Sequence, residues 1–209
     1  MTLRRAPTVL SLIPRETRPA TLRLSREDDR ITLIPMSVPT RILLALTIGV
    51  IATMLLFSAA VYGDLPAQIP THFNAAGVPD AFGPRTHWWW LPAISAASSA
   101  LTVGMSLMIP RRPALLNLPS KPEILALPLD AQIAVVRQAQ PGLMALGLLT
   151  AAVFLYLQYA VWDVAQGHRT AGIGNLIFIL PVFSIALLPA ILIPVTRELR
   201  RQQQRLSHR

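Results

Sequence analysis

What most restricts the fold of this chain is a set of four uncharged apolar runs, Ile42–Tyr62, Trp88–Ile109, Leu143–Trp162 and Ile173–Val195. The first has 21 residues, and a helix rising about 1.5 Å per residue carries them across roughly 31 Å, the thickness of a hydrocarbon core. None of the four contains Asp, Glu, Lys, Arg or His. A soluble core does not need 53% hydrophobic residues or a mean hydropathy of +0.49, and here the apolar residues come in blocks. The pattern predicts an all-α integral membrane protein, a bundle of four transmembrane helices whose main partner is the lipid bilayer.

The placement of charge predicts how such a bundle lies. Of the 19 Lys and Arg residues, 8 fall in residues 1–41, 4 in 110–142 and 5 in 196–209, with 1 in each of the other two connections. By the positive-inside rule both termini and the middle connection are cytoplasmic. Every Trp and Tyr agrees: Tyr62, Trp88, Trp89, Trp90, Tyr156, Tyr159 and Trp162 gather at the opposite, outer ends. A net charge of +9 and a pI near 11.5 would suggest nucleic acid in a soluble protein, but this distribution accounts for them without it. The expected division is a disordered basic arm over 1–41, with Met36 as an alternative start, a membrane domain over 42–195 with an outer loop at 63–87, and a basic cytoplasmic tail over 196–209. There is no cysteine, so disulfides and Cys-based chemistry are excluded.

The polar stretch Leu65–Arg85, LPAQIPTHFNAAGVPDAFGPR, separates the first two runs. Pro66, Pro70, Pro79 and Pro84 interrupt any helix, so this is a loop and not a fifth span. Ile69 to Phe73 favours extended backbone, Asn74-Ala75-Ala76-Gly77 a turn with Gly77 free to take positive φ, and Val78 onward a second extended piece. A hairpin-like or Ω-type loop follows, with Phe73 and Phe82 as inward anchors. His72, Asn74 and Asp80 are its chemically able side chains. One His and one Asp fall short of the ligands that zinc takes, so no metal and no cofactor is expected, and the better expectation is a hydrogen-bonded turn.

The run Leu65-Pro66, Ile69-Pro70, His72-Phe73-Asn74, Gly77, Pro79-Asp80 and Phe82-Gly83 resembles the signature of a bacterial membrane family, number sixteen-forty-eight in the unknown-function series. That domain also occurs in Sdp-type immunity and signal-transduction proteins, which protect cells from a secreted peptide toxin. The resemblance implies a protein of the bacterial cytoplasmic membrane, with His72, Phe73, Asn74, Gly77, Pro79, Asp80 and Gly83 as the residues of its ligand site or its loop structure. Where a Lys or Ser often follows the last glycine in that family, Pro84-Arg85 stands here. Asn117 and Lys121 resemble a second family segment, Asn-x-Pro-x-Lys, without the aromatic residues that often follow it.

Elsewhere the sequence speaks mainly of packing. Ser95 with Ser99, Ser98 with Thr102, and Ala100 with Gly104 give the second run a small-residue face. Six prolines in 110–142 exclude one long helix there, but Asp130 can cap a short one. Leu129, Ile133 and Val136 would then lie on one face of that helix, suited to resting on the membrane surface. Pro181, Pro189 and Pro194 are expected to kink the last run. Gln158 and Asn175, near the outer ends of the third and fourth runs, can hydrogen-bond between helices, or face His72, Asn74 and Asp80 beneath His168 and Arg169 as a shallow pocket. With no ionisable group in any span, a proton-coupled carrier is unlike this chain, and no nucleophile elbow, zinc helix or phosphate loop appears. Two functions stand: recognition of an extracellular peptide or envelope component through the loop, with a cytoplasmic regulator as a further partner, or a membrane enzyme using His72 and Asp80. No catalytic residue is assigned.

Overall fold

The structure, a computed structural model, describes residues 36–171 and 176–208. The arm over 1–35 and the candidate Asn175 lie outside the described residues. The first helix, α1, runs Val38–Val61 and starts earlier than the apolar run does. Ser37 caps it: its Oγ accepts from the Thr40 backbone N–H at 3.4 Å and shares a 2.7 Å hydrogen bond with the Thr40 hydroxyl, while a proline occupies the first turn. Arg41 therefore lies inside the helix instead of ending an arm.

After a 3-10 turn at Tyr62–Asp64 come β1, Gln68–Phe73, and β2, Pro79–Pro84, paired antiparallel. The chain is mostly helical, and the two extended pieces of the loop between the first two helices pair as a small sheet. A second 3-10 turn, Arg85–Trp89, leads into α2, Trp90–Met108. Short α3, Lys121–Leu125, and α4, Leu129–Val136, precede the long α5, Gln140–Ala165, and α6, Leu176–Ser207. Among the described residues three helical segments are long and apolar enough to cross a membrane: Val38–Asp64, Arg85–Met108 and Leu129–Ala165. Pro181, Pro189 and Pro194 all lie within α6, which continues as helix past residue 195 to Ser207.

Burial along α1 and α2 is the inverse of that in a water-soluble protein. α1 buries Thr40, Thr47, Met54 and Ser58, and α2 buries Pro92, Ser95, Ser99 and Ser106, whereas Leu56 and Leu101 face outward. Small side chains let helices approach where lipid is as apolar as leucine and no hydrophobic force separates inside from outside. α5 sits at the centre, packed on α1, α2, β1 and α6. The small-residue face of α2 differs in one respect from expectation. Ser95 and Ser99 are in the seam and Thr102 meets Gly147, but Gly104 has nothing near the position of a Cβ, because it lies nearly half a turn from the stripe of Ser95, Ser99 and Ser106.

The region after α2 corrects another expectation. The short helix expected to present Leu129, Ile133 and Val136 to a membrane surface packs instead into a core with α6, which buries Ala131, Val135 and Val136. Ile109, Ile124, Ala131, Val135, Val136 and Ala139 cluster there with Ile191, Val195 and Leu199. Pro128, not Asp130, occupies the N-cap of α4, leaving Asp130 in its first turn. The Gln140 side chain donates to the Ser106 carbonyl at 2.9 Å and ties the start of α5 to the end of α2. Gly142 is where α6 comes closest, since a Cβ there would lie 2.3 Å from Ile191 Cγ1. Gly142→Leu should therefore lower stability by about 1–3 kcal/mol, the usual cost of overpacking, as a lower Tm in detergent. Gly104→Leu is the control, and equal melting of the two variants would refute the α5–α6 contact.

Candidate functional site

The stretch between α1 and α2 is a hairpin whose geometry follows from its sequence. Asn74 N–H donates to the Val78 carbonyl at 2.9 Å and Gly77 N–H to the Asn74 carbonyl at 2.8 Å, closing the tip. The Asn74 Oδ1 accepts from the backbone of Ala76 at 2.9 Å and of Val78 at 3.1 Å, and Gly77 takes φ 75°. A turn with a left-handed residue at its end matches the twist of the flanking strands, and glycine takes that conformation without a Cβ penalty. Prolines fit because a two-stranded sheet has only edges.

Two irregularities interrupt the register. Pro70 pairs with Phe82 and His72 with Ala81, leaving Thr71 extra on β1; Phe73 then pairs with Pro79, leaving Asp80 extra on β2. Such bulges re-aim side chains. Here Asp80 reaches back so that its Oδ1 meets His72 Nδ1, an exposed pair with the His72 side chain 68% accessible. Phe73 packs against the cluster of Leu65, Ile69, Trp88 and Val161, as an anchor should. Phe82 does not: it is 58% exposed, since alternation turns Gly83 inward and so its neighbour outward. Gly83 is required by space and not by φ, for a Cβ would stand 2.8 Å from His87 Nδ1 and 2.9 Å from Thr71 Cγ2.

Beneath the hairpin, Trp88 is wholly buried and its Nε1 donates to the Ser58 carbonyl at 3.0 Å. Gln158, also fully buried, donates from Nε2 to Ser58 Oγ at 3.1 Å and to the Trp88 carbonyl at 3.2 Å. This junction ties α1, the start of α2 and α5 together, and Phe57 closes it with ring contacts to Trp88, Tyr159 and Trp162. Gln158 therefore binds helices to one another and is not grouped with His72 and Asp80.

A cavity of about 570 Å³ lies between the hairpin and the helices. Residues 69–75 of β1 and the tip form one wall, His87, Trp88, Trp90, Leu91 and Ile94 a second, and Leu157 and Val161 of α5 a third. His72, Phe73 and Asn74 thus come together on one cavity, whereas Gly77, Pro79, Asp80 and Gly83 shape the hairpin behind it. Asn117 and Lys121 follow the far end of α2, roughly 28 Å away by helix rise, and share nothing with this site. His168 and Arg169 are not on the cavity either. They pair with Asp163, whose side chain is 7% exposed, at 3.3 Å and 2.8 Å, in a reversal made by Gly167 at φ 74°.

His87 and Asp163 are absent from the sequence-based set. A polar residue just ahead of three tryptophans marks the first, and an acid at a helix end five and six residues before His and Arg marks the second. Among the described residues no three His, Cys, Asp or Glu side chains are placed to hold a metal.

A family profile described as "Domain of unknown function (DUF1648)" matches residues 49–96, the second half of α1, the hairpin and the first turns of α2. An "Uncharacterized protein" of Archaeoglobus fulgidus is 31% identical over 158 residues, covering 73% of this chain and 84% of its own. No solved structure matches the chain. Similarity over most of both sequences, together with the matched hairpin segment, makes this chain a member of the family of the domain of unknown function DUF1648.

Proposed function

We propose that this is a multi-pass protein of the bacterial cytoplasmic membrane that recognises an extracellular peptide or envelope component at its hairpin. α1, α2, α5 and the apolar part of α6 are its four spans, with both termini and the α3–α4 region in the cytoplasm. The observation that carries the proposal is the cavity, closed on one side by a preorganised hairpin and lined by aromatic and aliphatic groups with a few polar ones, the composition of a ligand site. A tip held by four hydrogen bonds and a left-handed glycine loses little freedom on binding, which suits recognition. The excess of Lys and Arg at the other end supports the outward placement. The resemblance to Sdp-type proteins favours an immunity or signalling role, in which a cytoplasmic regulator meets the α3–α4 face.

The His72–Asp80 contact favours a second function, a membrane enzyme in which Asp80 orients a His72 base. Turnover of a substrate by the purified protein, lost in His72→Ala, would select it over recognition. Topology is tested by reporter fusions after Arg85 and after Arg197, which should report opposite sides of the membrane. If both report cytoplasm, the hairpin faces the wrong way for the proposed role. Cells carrying or lacking the gene should then differ in survival when challenged with secreted peptides or envelope stress.

A further inference from the structure

The cavity walls differ in kind around its circumference. Its deep side is buried and apolar, made by Ile69, Trp88 and Val161. Its polar lining, Thr71, His72, Asn74 and His87, is exposed at the hairpin level. A third part of the wall is apolar and yet exposed: Trp90 is 62% accessible and Ile94 46%, both on the outward surface of α2. On a helix apolar enough to cross a membrane, an exposed apolar wall is a wall against lipid, so the cavity is continuous with the bilayer at its side.

From this we infer that the cavity takes one acyl chain of a phospholipid from the surrounding leaflet, sideways past Trp90 and Ile94, with the phosphate at Thr71, Asn74 and His87. The inference rests on the preceding proposal only in setting the hairpin at a leaflet surface, and it names the envelope component. A chain leaving bilayer for cavity gains no hydrophobic free energy, because both are apolar, so selection falls to the polar rim. That rim complements an anion. The Asn74 Oδ1 is used by the turn, which leaves its NH₂ to donate; the Thr71 hydroxyl and the His87 ring add donors. Arg85, two residues before His87, does not itself line the cavity: its guanidinium lies over the Tyr62 ring at 5.5 Å and adds positive charge to the rim only at a distance, while the acid of the hairpin, Asp80, is engaged by His72. The cavity volume lies in the range of single-ligand sites, which fits one chain and not a bulky peptide.

The test is native mass spectrometry of the full chain extracted from bilayers of equal phosphatidylglycerol and phosphatidylcholine. One phospholipid per chain should remain, phosphatidylglycerol over phosphatidylcholine by about tenfold, because both carry the phosphate but only phosphatidylcholine adds a choline cation beside a rim of donors and positive charge, where the glycerol hydroxyls fit instead. Ile94→Trp, at a lipid-facing position that tolerates bulk, should block the side opening and lower retention about tenfold; Leu157→Trp, filling the cavity from α5, is the second variant. Arg85→Gln with His87→Gln should equalise the two lipids. Bare chain, retained detergent only, equal retention of both lipids by the natural sequence, or retention unaltered in both tryptophan variants would each overturn the inference. If lipid is retained as expected while hairpin variants respond normally to secreted peptides, the lipid site stands and the peptide-recognition role falls. If hairpin variants lose that response and no lipid is retained, the role stands and this inference falls.

Discussion

Alanine in place of Trp88 should destabilise the protein by about 3–5 kcal/mol, the range for truncating a fully buried large aromatic side chain. The indole fills the junction of α1, α2 and α5, its ring contacts Phe57 at 6.2 Å between centroids, and its N–H serves the Ser58 carbonyl. Truncation leaves a void that side chains on three elements cannot all move to fill. Trp88→Phe keeps most of the volume and gives up the hydrogen bond, at about 1 kcal/mol. Thermal unfolding in detergent should rank natural sequence, Phe and Ala in that order. An alanine variant that melts with the natural sequence would mean that the hairpin does not rest on this junction.

Valine at position 77 should disrupt the hairpin more than alanine at His72, although only His72 carries chemistry. Gly77 takes φ 75°, and forcing a β-branched residue into that region costs about 1–3 kcal/mol. The hairpin has only its two strands and one packed face to meet that cost, so its tip should open locally while the helices stay folded. The His72–Asp80 pair is exposed, and such pairs contribute about 0–1 kcal/mol. Hydrogen exchange at the amides of Asn74 and Gly77 should accelerate strongly in Gly77→Val and little in His72→Ala. The reverse order would place the structural weight of the hairpin on the His–Asp contact. Gly77→Asn should fall between the two, since asparagine tolerates left-handed backbone.

The helices were legible because hydrocarbon thickness sets a length that a sequence must match. The runs beginning at Ile42, Trp88 and Leu143 locate α1, α2 and α5 to within a few residues, and the differences are at caps such as Ser37-Val38-Pro39. The tip was legible for a local reason: Asn74 and Gly77 are each suited to one turn position. What failed depended on distant partners. Val135 and Ala131 interrupt the apolar stripe of Leu129, Ile133 and Val136, and only contact with Val195 and Leu199 explains their burial. Phe82 reads as an anchor until the register turns Gly83 inward. Asp163 is the exception, since its partners His168 and Arg169 follow only five and six residues on, whereas His87 takes its place on the cavity beside Gly83, whose missing Cβ leaves room for the ring. Gln158 reads as a hydrogen-bonding residue from its sequence, but its partners Ser58 and Trp88 come from other elements.

The inverted burial of α1 and α2 reverses the usual map of mutational tolerance there. Leu56 and Leu101 are exposed on helices apolar enough to cross a membrane, and hydrocarbon is indifferent among apolar shapes, so Ile, Val, Met or Phe should replace either with little consequence. Ser95, Ser99 and Gly147 set the distance between helices, and there one added methylene must separate two backbones before it fits. Sequences diverging under selection for this fold should therefore exchange their largest membrane residues freely and hold on to their smallest.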